Sequence, residues 1–176
     1  MRHILRRREL VEDDWRFWDE EGAAVAPGGA DSAAGGGGEA VIVPFAEFRT
    51  HIDRWRAHAG PLGVRLSPAD AVEDLAPDIQ RLSLVAAEFP GPGDGRGYTQ
   101  ARLLRDRLHF KGELRAVGNG VKQDLLFIMS RCGFDSFDLA PGQKVDEAIK
   151  ALDRYSVAYQ PAEPVPSIHQ QRLSAR

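Results

Sequence analysis

The sequence predicts an α/β fold, a five-stranded and mainly parallel sheet with flanking helices. Three observations carry that expectation. Five short runs with strand character open at Val41, Leu62, Leu82, Glu113 and Phe137, and stretches of helical periodicity separate them. Their starts lie roughly 20–30 residues apart, which leaves room for a crossover helix between parallel strands. The chain of 176 residues is 43% hydrophobic, enough for one sizeable core. Five such units make either an open three-layer sheet or an incomplete βα barrel. The open sheet is the first expectation, because a closed barrel takes eight units.

Residues 1–21 read as a small N-terminal appendage, a β-ribbon or short helix anchored by Trp15, Phe17 and Trp18. Residues 22–40 are rich in Gly and Ala and include Gly35-Gly36-Gly37-Gly38. Such a stretch cannot bury enough apolar surface to offset its chain entropy, so a flexible insert is expected. Its glycines lack the lysine and following helix of a phosphate loop. The α/β domain spans 41–159. It opens with the strand Val41-Ile42-Val43, and then Phe45, Phe48, Ile52 and Trp55 form a helical stripe that stops at Gly60. Leu62 to Leu66 is the second strand, followed by a short helix from Pro68 to Ala76. Leu82 to Phe89 is the third strand, and a helix runs from Gln100 to Phe110. Glu113 to Val117 is the fourth. Val121, Leu125, Ile128, Met129 and Cys132 then share one apolar helix face, with Gly133 where a left-handed C-cap belongs. Phe137 and Leu139 mark the fifth strand, and a last helix spans Gln143 to Tyr155. Residues 160–176, with Pro161, Pro164 and Pro166, read as a disordered tail.

Composition removes several classes of function. A net charge of −3 is unlike the strongly basic balance of nucleic-acid binders. Arg2, Arg6, Arg7 and Arg8 are followed by acidic residues rather than the apolar run of a signal peptide. No apolar stretch approaches the roughly 18 residues of a membrane span. A cytoplasmic protein that binds neither nucleic acid nor membrane is expected. Cys132 is the single cysteine. It excludes a disulfide within the chain, a CxxC pair and an all-cysteine cluster, so any redox electrons would travel on an organic cofactor or a partner. Its place on an apolar helix face makes it a buried structural thiol. His3, His51, His58, His109 and His169 show no metal-ligand spacing, and no metal site is expected. Neither a particular cofactor nor a catalytic residue is named by any motif.

Parallel α/β architectures bind ligands at the carboxyl ends of their strands. Arg65, Glu88 and Gly118 through Gly120 lie at three of those ends. The loop after the third strand, residues 89–99, is long for a connection that typically takes about 2–6 residues. Its glycines allow a ligand to approach the backbone, and Thr99 is placed as an N-cap at a helix start that favours anions. Between positions 96 and 115 six basic residues face two acidic ones. The candidate anion site is therefore Gly95, Arg96, Gly97, Tyr98, Thr99 and Arg102, with Arg65 and Arg115 nearby. Arg96 offers the planar bidentate grip that suits phosphate, sulfate or carboxylate. The competing expectation is an internal Asp94–Arg96 pair with the helix arginines simply solvated. Asp124 and Asp138 are weaker candidates, as bases near element ends.

The segments Asp94-Gly95-Arg96-Gly97-Tyr98-Thr99-Gln100-Ala101-Arg102-Leu103-Leu104-Arg105, Gly112-Glu113-Leu114-Arg115-Ala116-Val117-Gly118 and Arg131-Cys132-Gly133-Phe134-Asp135-Ser136-Phe137 carry a family likeness. Over about residues 40–160 the chain resembles a proteobacterial family of unknown function. Its members are named as oxidoreductases of sulfite reduction and are often encoded beside assimilatory sulfite reductase. The resemblance implies an accessory protein of assimilatory sulfate and sulfite reduction, acting with sulfite reductase or another sulfate-assimilation enzyme. The alternative is a small-anion enzyme or sensor, holding sulfite or a nucleotide sulfate at the glycine-rich loop. A homodimer that completes its sheet is the third expectation.

Overall fold

A computed structural model describes residues 2–18, 24–25 and 38–154. The five expected strands are present as β5 (Val41–Pro44), β6 (Leu62–Leu66), β7 (Leu84–Glu88), β8 (Glu113–Val117) and β9 (Ser136–Phe137). Four more precede them: β1 (His3–Arg6), β2 (Glu9–Glu12), β3 (Arg16–Trp18) and β4 (Ala24–Val25). All nine join one sheet in the order β2-β1-β9-β8-β7-β6-β5-β3-β4. The strands from β3 through β5 to β9 run parallel, and β1, β2 and β4 pair antiparallel at the two edges.

That order corrects the open three-layer expectation. The parallel strands follow one another in sequence without reversal, so right-handed crossovers all deliver their helices to the same face. The result is a curled half-barrel with one helical layer. The helices are α1 (Phe45–Thr50), α2 (Ile52–Arg56), α3 (Arg96–Arg102), α4 (Leu126–Arg131) and α5 (Val145–Leu152). Phe45, Phe48, Trp55, Ala101, Leu126, Met129, Ala148 and Leu152 pack from them, with Leu104 of the π-helical turn Leu103–Arg107 that continues α3, into a single core with Val43, Val64, Val85, Leu114 and Phe137 of the strands. Alternation then turns Ile42, Leu84, Ala86 and Val117 to the opposite, concave face.

Among the described residues no helix covers that face. The chain itself does, because residues 13–15 cross it from β2 at one edge to β3 at the other. Trp15 lies over Ile42 and Leu84, with Gly63 packed closely beneath it. A Cβ at Gly63 would stand 3.1 Å from the indole and 3.1 Å from Ile42. Beside Trp15, Asp13 and Arg115 form an ion pair of 2.8 Å in which both side chains are fully buried. The strands β1, β2 and β3 thus belong to the one sheet. Local periodicity could not reveal this, since β1 pairs with β9 across most of the chain length.

Smaller differences have local causes. The helix expected over Pro68 to Ala76 is instead two 3₁₀ turns, Val72–Leu75 and Ile79–Arg81, with Pro77 between them unable to continue a helix. A 3₁₀ turn at Gln123–Leu125 winds more tightly than an α-helix and shifts the phase of α4. Leu126 and Met129 therefore face the core, while Ile128 is 53% exposed. Most of the Gly/Ala-rich stretch 22–40 lies outside the described residues, as do Tyr155 and the tail 160–176; within the stretch, Ala24–Val25 pairs with β3.

Candidate functional site

The loop after β7 satisfies itself. Asp94 Oδ1 accepts the backbone N–H of Arg96 at 3.1 Å and its Nε at 3.0 Å, and Oδ2 accepts Nη2 at 2.7 Å. A carboxylate from the chain already occupies the anion position, and Arg96 holds that carboxyl below its ordinary value. The helix begins at Arg96 with Gly95 before it, so Thr99 stands inside the first turns and is not the N-cap. Gly97 and Tyr98 pack against Phe89, whose ring centroid is 5.2 Å from that of Tyr98. Arg102 pairs with Asp106 at 2.7 Å. Arg115, the other expected arginine, lies fully buried on the concave wall between Asp13 and Glu113. It is part of the framework, closed to a ligand.

The motif segments prove to be held to one another. Arg105 donates to the carbonyls of Phe110, Gly112 and Gly133 and to Asp135 Oδ2, the last at 2.5 Å. Asp135 Oδ2 also accepts the N–H of Leu114 at 2.9 Å. One guanidinium and one carboxylate thereby fix the end of the α3 segment to the starts of β8 and β9. Gln100, almost fully buried, donates to the carbonyls of Ser67 and Asp70 and ties α3 to the turn after β6.

The open chemistry lies at the mouth of the half-barrel. There the carboxyl ends of β6, β7 and β8 bring Arg65, Glu88, Val117 and Gly118 around a cavity of about 310 Å³. Arg2, Phe17 and Asp138 complete its wall. Register explains the meeting of the two charges: Arg65 pairs with Ala86, so Glu88, two residues on, points to the same concave face one strand away. Gly118 has φ of +103°, and a Cβ there would stand 2.6 Å from the carbonyl oxygen of Phe89. The turn out of β8 thus closes tightly against β7.

Below the mouth the charges are closed. Arg115 reaches Asp13 at 2.8 Å and Glu113 at 2.8 Å, and Ser136 donates to Glu113 at 2.6 Å. Burial alone would raise the Glu113 carboxyl, but Arg115, Ser136 and Arg6 together hold it below its ordinary value. Arg2 is bonded to Asp138 and stacks on Phe17 at 4.6 Å. Arg65 and Glu88 differ. Their closest approach is 3.9 Å, beyond hydrogen-bonding distance, with 41% and 35% of the side chains exposed. They are a charged pair at a strand-end cavity that has not closed on itself.

Of the residues expected from the sequence, Arg65 is at this cavity, with Glu88 and Gly118 of the strand ends and the weaker candidate Asp138. The loop residues 95–99, Arg102 and Arg115 do not line it. Arg2 and Phe17 were missed, because both arrive on the N-terminal segment, Arg2 just before β1 and Phe17 on β3. Cys132 is half-buried, and burial pushes its thiol up. Among the described residues no group of three or more His, Cys, Asp or Glu is placed to hold a metal ion. No helix among them is long and apolar enough to cross a membrane.

Fold and cavity together define an α/β half-barrel protein with a polar cavity at its strand-end mouth. Residues 63–167 match the bacterial family of proteins of unknown function DUF934, and the chain belongs to that family. No curated protein matches the sequence.

Proposed function

We propose that the protein is an accessory protein of assimilatory sulfite reduction that holds a small ligand at the mouth of the half-barrel, with an anionic group of the ligand on Arg65. The likeness of its motif segments to proteins named for sulfite reduction supports the pathway. The observation that carries the ligand site is the unclosed Arg65–Glu88 pair, 3.9 Å apart at a cavity of about 310 Å³. Ligand cavities run from about 300 to 1,000 Å³, so a small metabolite is the right scale. A guanidinium on a strand is also a more rigid receptor than one on a loop. Sulfite reductase or a companion reductase is the partner in this reading, and the protein acts by supplying or sensing a small molecule of that pathway.

A thermal-shift series tests the site. Sulfite, sulfate, adenylyl sulfates, simple carboxylates and α-amino acids are run against the wild type, Arg65→Ala and Arg96→Ala. A ligand at about 100 times its Kd adds about 2.7 kcal/mol, a rise of several degrees. The expected result is a saturable rise that Arg65→Ala abolishes and Arg96→Ala retains. The reverse pattern would return the site to the loop after β7. Co-purification with sulfite reductase tests the partner, and its absence from a pull-down at native abundance contradicts the pathway assignment.

A further inference from the structure

The charge balance of the mouth narrows the ligand. Two cations, Arg2 and Arg65, and two anions, Glu88 and Asp138, line the cavity. Arg2 and Asp138 are bonded to each other, and Arg2 Nε also faces the buried Asp13 Oδ2 at 3.9 Å. The remaining pair is Arg65 with Glu88. A ligand that took only Arg65 would leave the Glu88 carboxylate facing a second negative charge across a partly desolvated space, where like charges repel strongly. A ligand that took only Glu88 would strand Arg65 in the same way. Both are met at once by a molecule that carries its own anion and cation side by side.

We infer that the ligand is a zwitterion of the α-amino acid class, with its carboxylate on Arg65 and its ammonium on Glu88. In an α-amino acid a single carbon separates the two charged groups. Lying across the mouth and bridging guanidinium and carboxylate, such a ligand makes two charge-assisted hydrogen bonds and leaves no charge unpaired. Phe17, partly exposed, offers apolar surface in the same cavity for the ligand side chain. This inference rests on the mouth being the ligand site, and it goes further by assigning Glu88 a role in specificity: it selects against simple anions, sulfate and sulfite included.

The test uses matched pairs that differ only in the amine. The full chain is titrated by heteronuclear NMR with L-alanine, L-serine, L-cysteine and L-aspartate. Propionate, 3-hydroxypropionate, 3-mercaptopropionate and succinate are their des-amino partners. At least one amino acid binds saturably, and its des-amino partner binds about 10- to 100-fold more weakly, the value of one charge-assisted hydrogen bond. Glu88→Gln brings the two members of the pair to within a few-fold. Both side chains at the site are partly exposed, and unchanged melting of Glu88→Gln and Arg65→Ala verifies that the variants fold. Equal or tighter binding of the des-amino partner overturns the inference, as does a Glu88→Gln variant that leaves the preference intact. The lack of any amino-acid binding at millimolar concentration overturns it too. In those cases anion binding that Arg65→Ala still removes leaves the mouth reading standing, whereas binding indifferent to Arg65→Ala removes both.

Discussion

Two arginines at the carboxyl ends of the strands face the same chemical question and answer it differently. Arg96 is on a glycine-rich loop, the more exposed of the two, yet it is clamped by Asp94 through three hydrogen bonds from its own backbone and side chain. Arg65 sits at the end of a strand beside a carboxylate and stops 3.9 Å short of it. The difference is one of sequence distance. Asp94 and Arg96 are two residues apart, so a turn suffices to join them. Arg65 and Glu88 are placed by the parallel ladder of β6 and β7, whose spacing fixes their separation. A loop relaxes until its charges are satisfied. The pair on β6 and β7 stops short of contact, and its two charges stay available to a ligand.

The largest way to strain that comparison is to attack the wall beneath the mouth. Asp13→Ala leaves Arg115 buried with Glu113 as its remaining acid, and loss of one partner of a buried ion pair costs about 3–5 kcal/mol. A fall in Tm on the order of 10 °C is expected for a chain of this size. Arg96→Ala, made in parallel, leaves the melting temperature unmoved, because its pair is on the surface. Equal melting of the two variants would mean that the segment crossing the concave face does not hold the half-barrel.

A smaller effect comes from the same wall through pH. Glu113 has its carboxyl held below the ordinary value of 4.5. The unfolded chain therefore takes up that proton first as pH falls. The stability contributed by Glu113 is complete above about pH 4.5 and is lost as pH drops through the lower folded-state value. Glu113→Gln should be less stable than wild type at neutral pH, with the gap narrowing in acid. Denaturant melts from neutral pH to pH 3 measure it, and a gap that widens in acid would reverse the sign of this account.

The mildest expectation concerns Cys132. Burial raises its thiol above 9.0, so little thiolate exists at neutral pH. Alkylation by iodoacetamide should be slower than for a free thiol and should speed up on unfolding. Reaction as fast as free cysteine would contradict the half-buried placement.

How much of this was legible in the sequence divides along the same line. The five core strands announced themselves through apolar runs, and Glu113–Val117 was located to the residue. The rule that ligands meet strand ends picked out Arg65, Glu88 and Gly118, all of which line the cavity. What stayed hidden was non-local. Arg2 bonds to Asp138, 136 positions away, through the antiparallel edge that β1 makes with β9. No periodicity in either segment encodes that pairing. The direction of each crossover is equally silent, so an open three-layer sheet and a half-barrel could not be separated until strand order was known. The geometry of the loop after β7 differs from expectation for a short-range reason instead. A helix that starts four residues earlier than expected places Thr99 inside it and lets Asp94 meet Arg96. The likeness-bearing residues Arg105 and Asp135 fasten β8, β9 and the α3 segment together, which is a framework role.

The most direct measurement observes both arginines in one sample. With ¹⁵N-labelled arginine side chains assigned by Arg65→Lys and Arg96→Lys, the Nε–H resonances are followed as L-alanine, L-serine, L-cysteine or L-aspartate is added. Movement of the Arg65 signal along a saturation curve, with Arg96 stationary, is the predicted result. A titration that moves Arg96 and leaves Arg65 in place would contradict the mouth of the half-barrel as the ligand site.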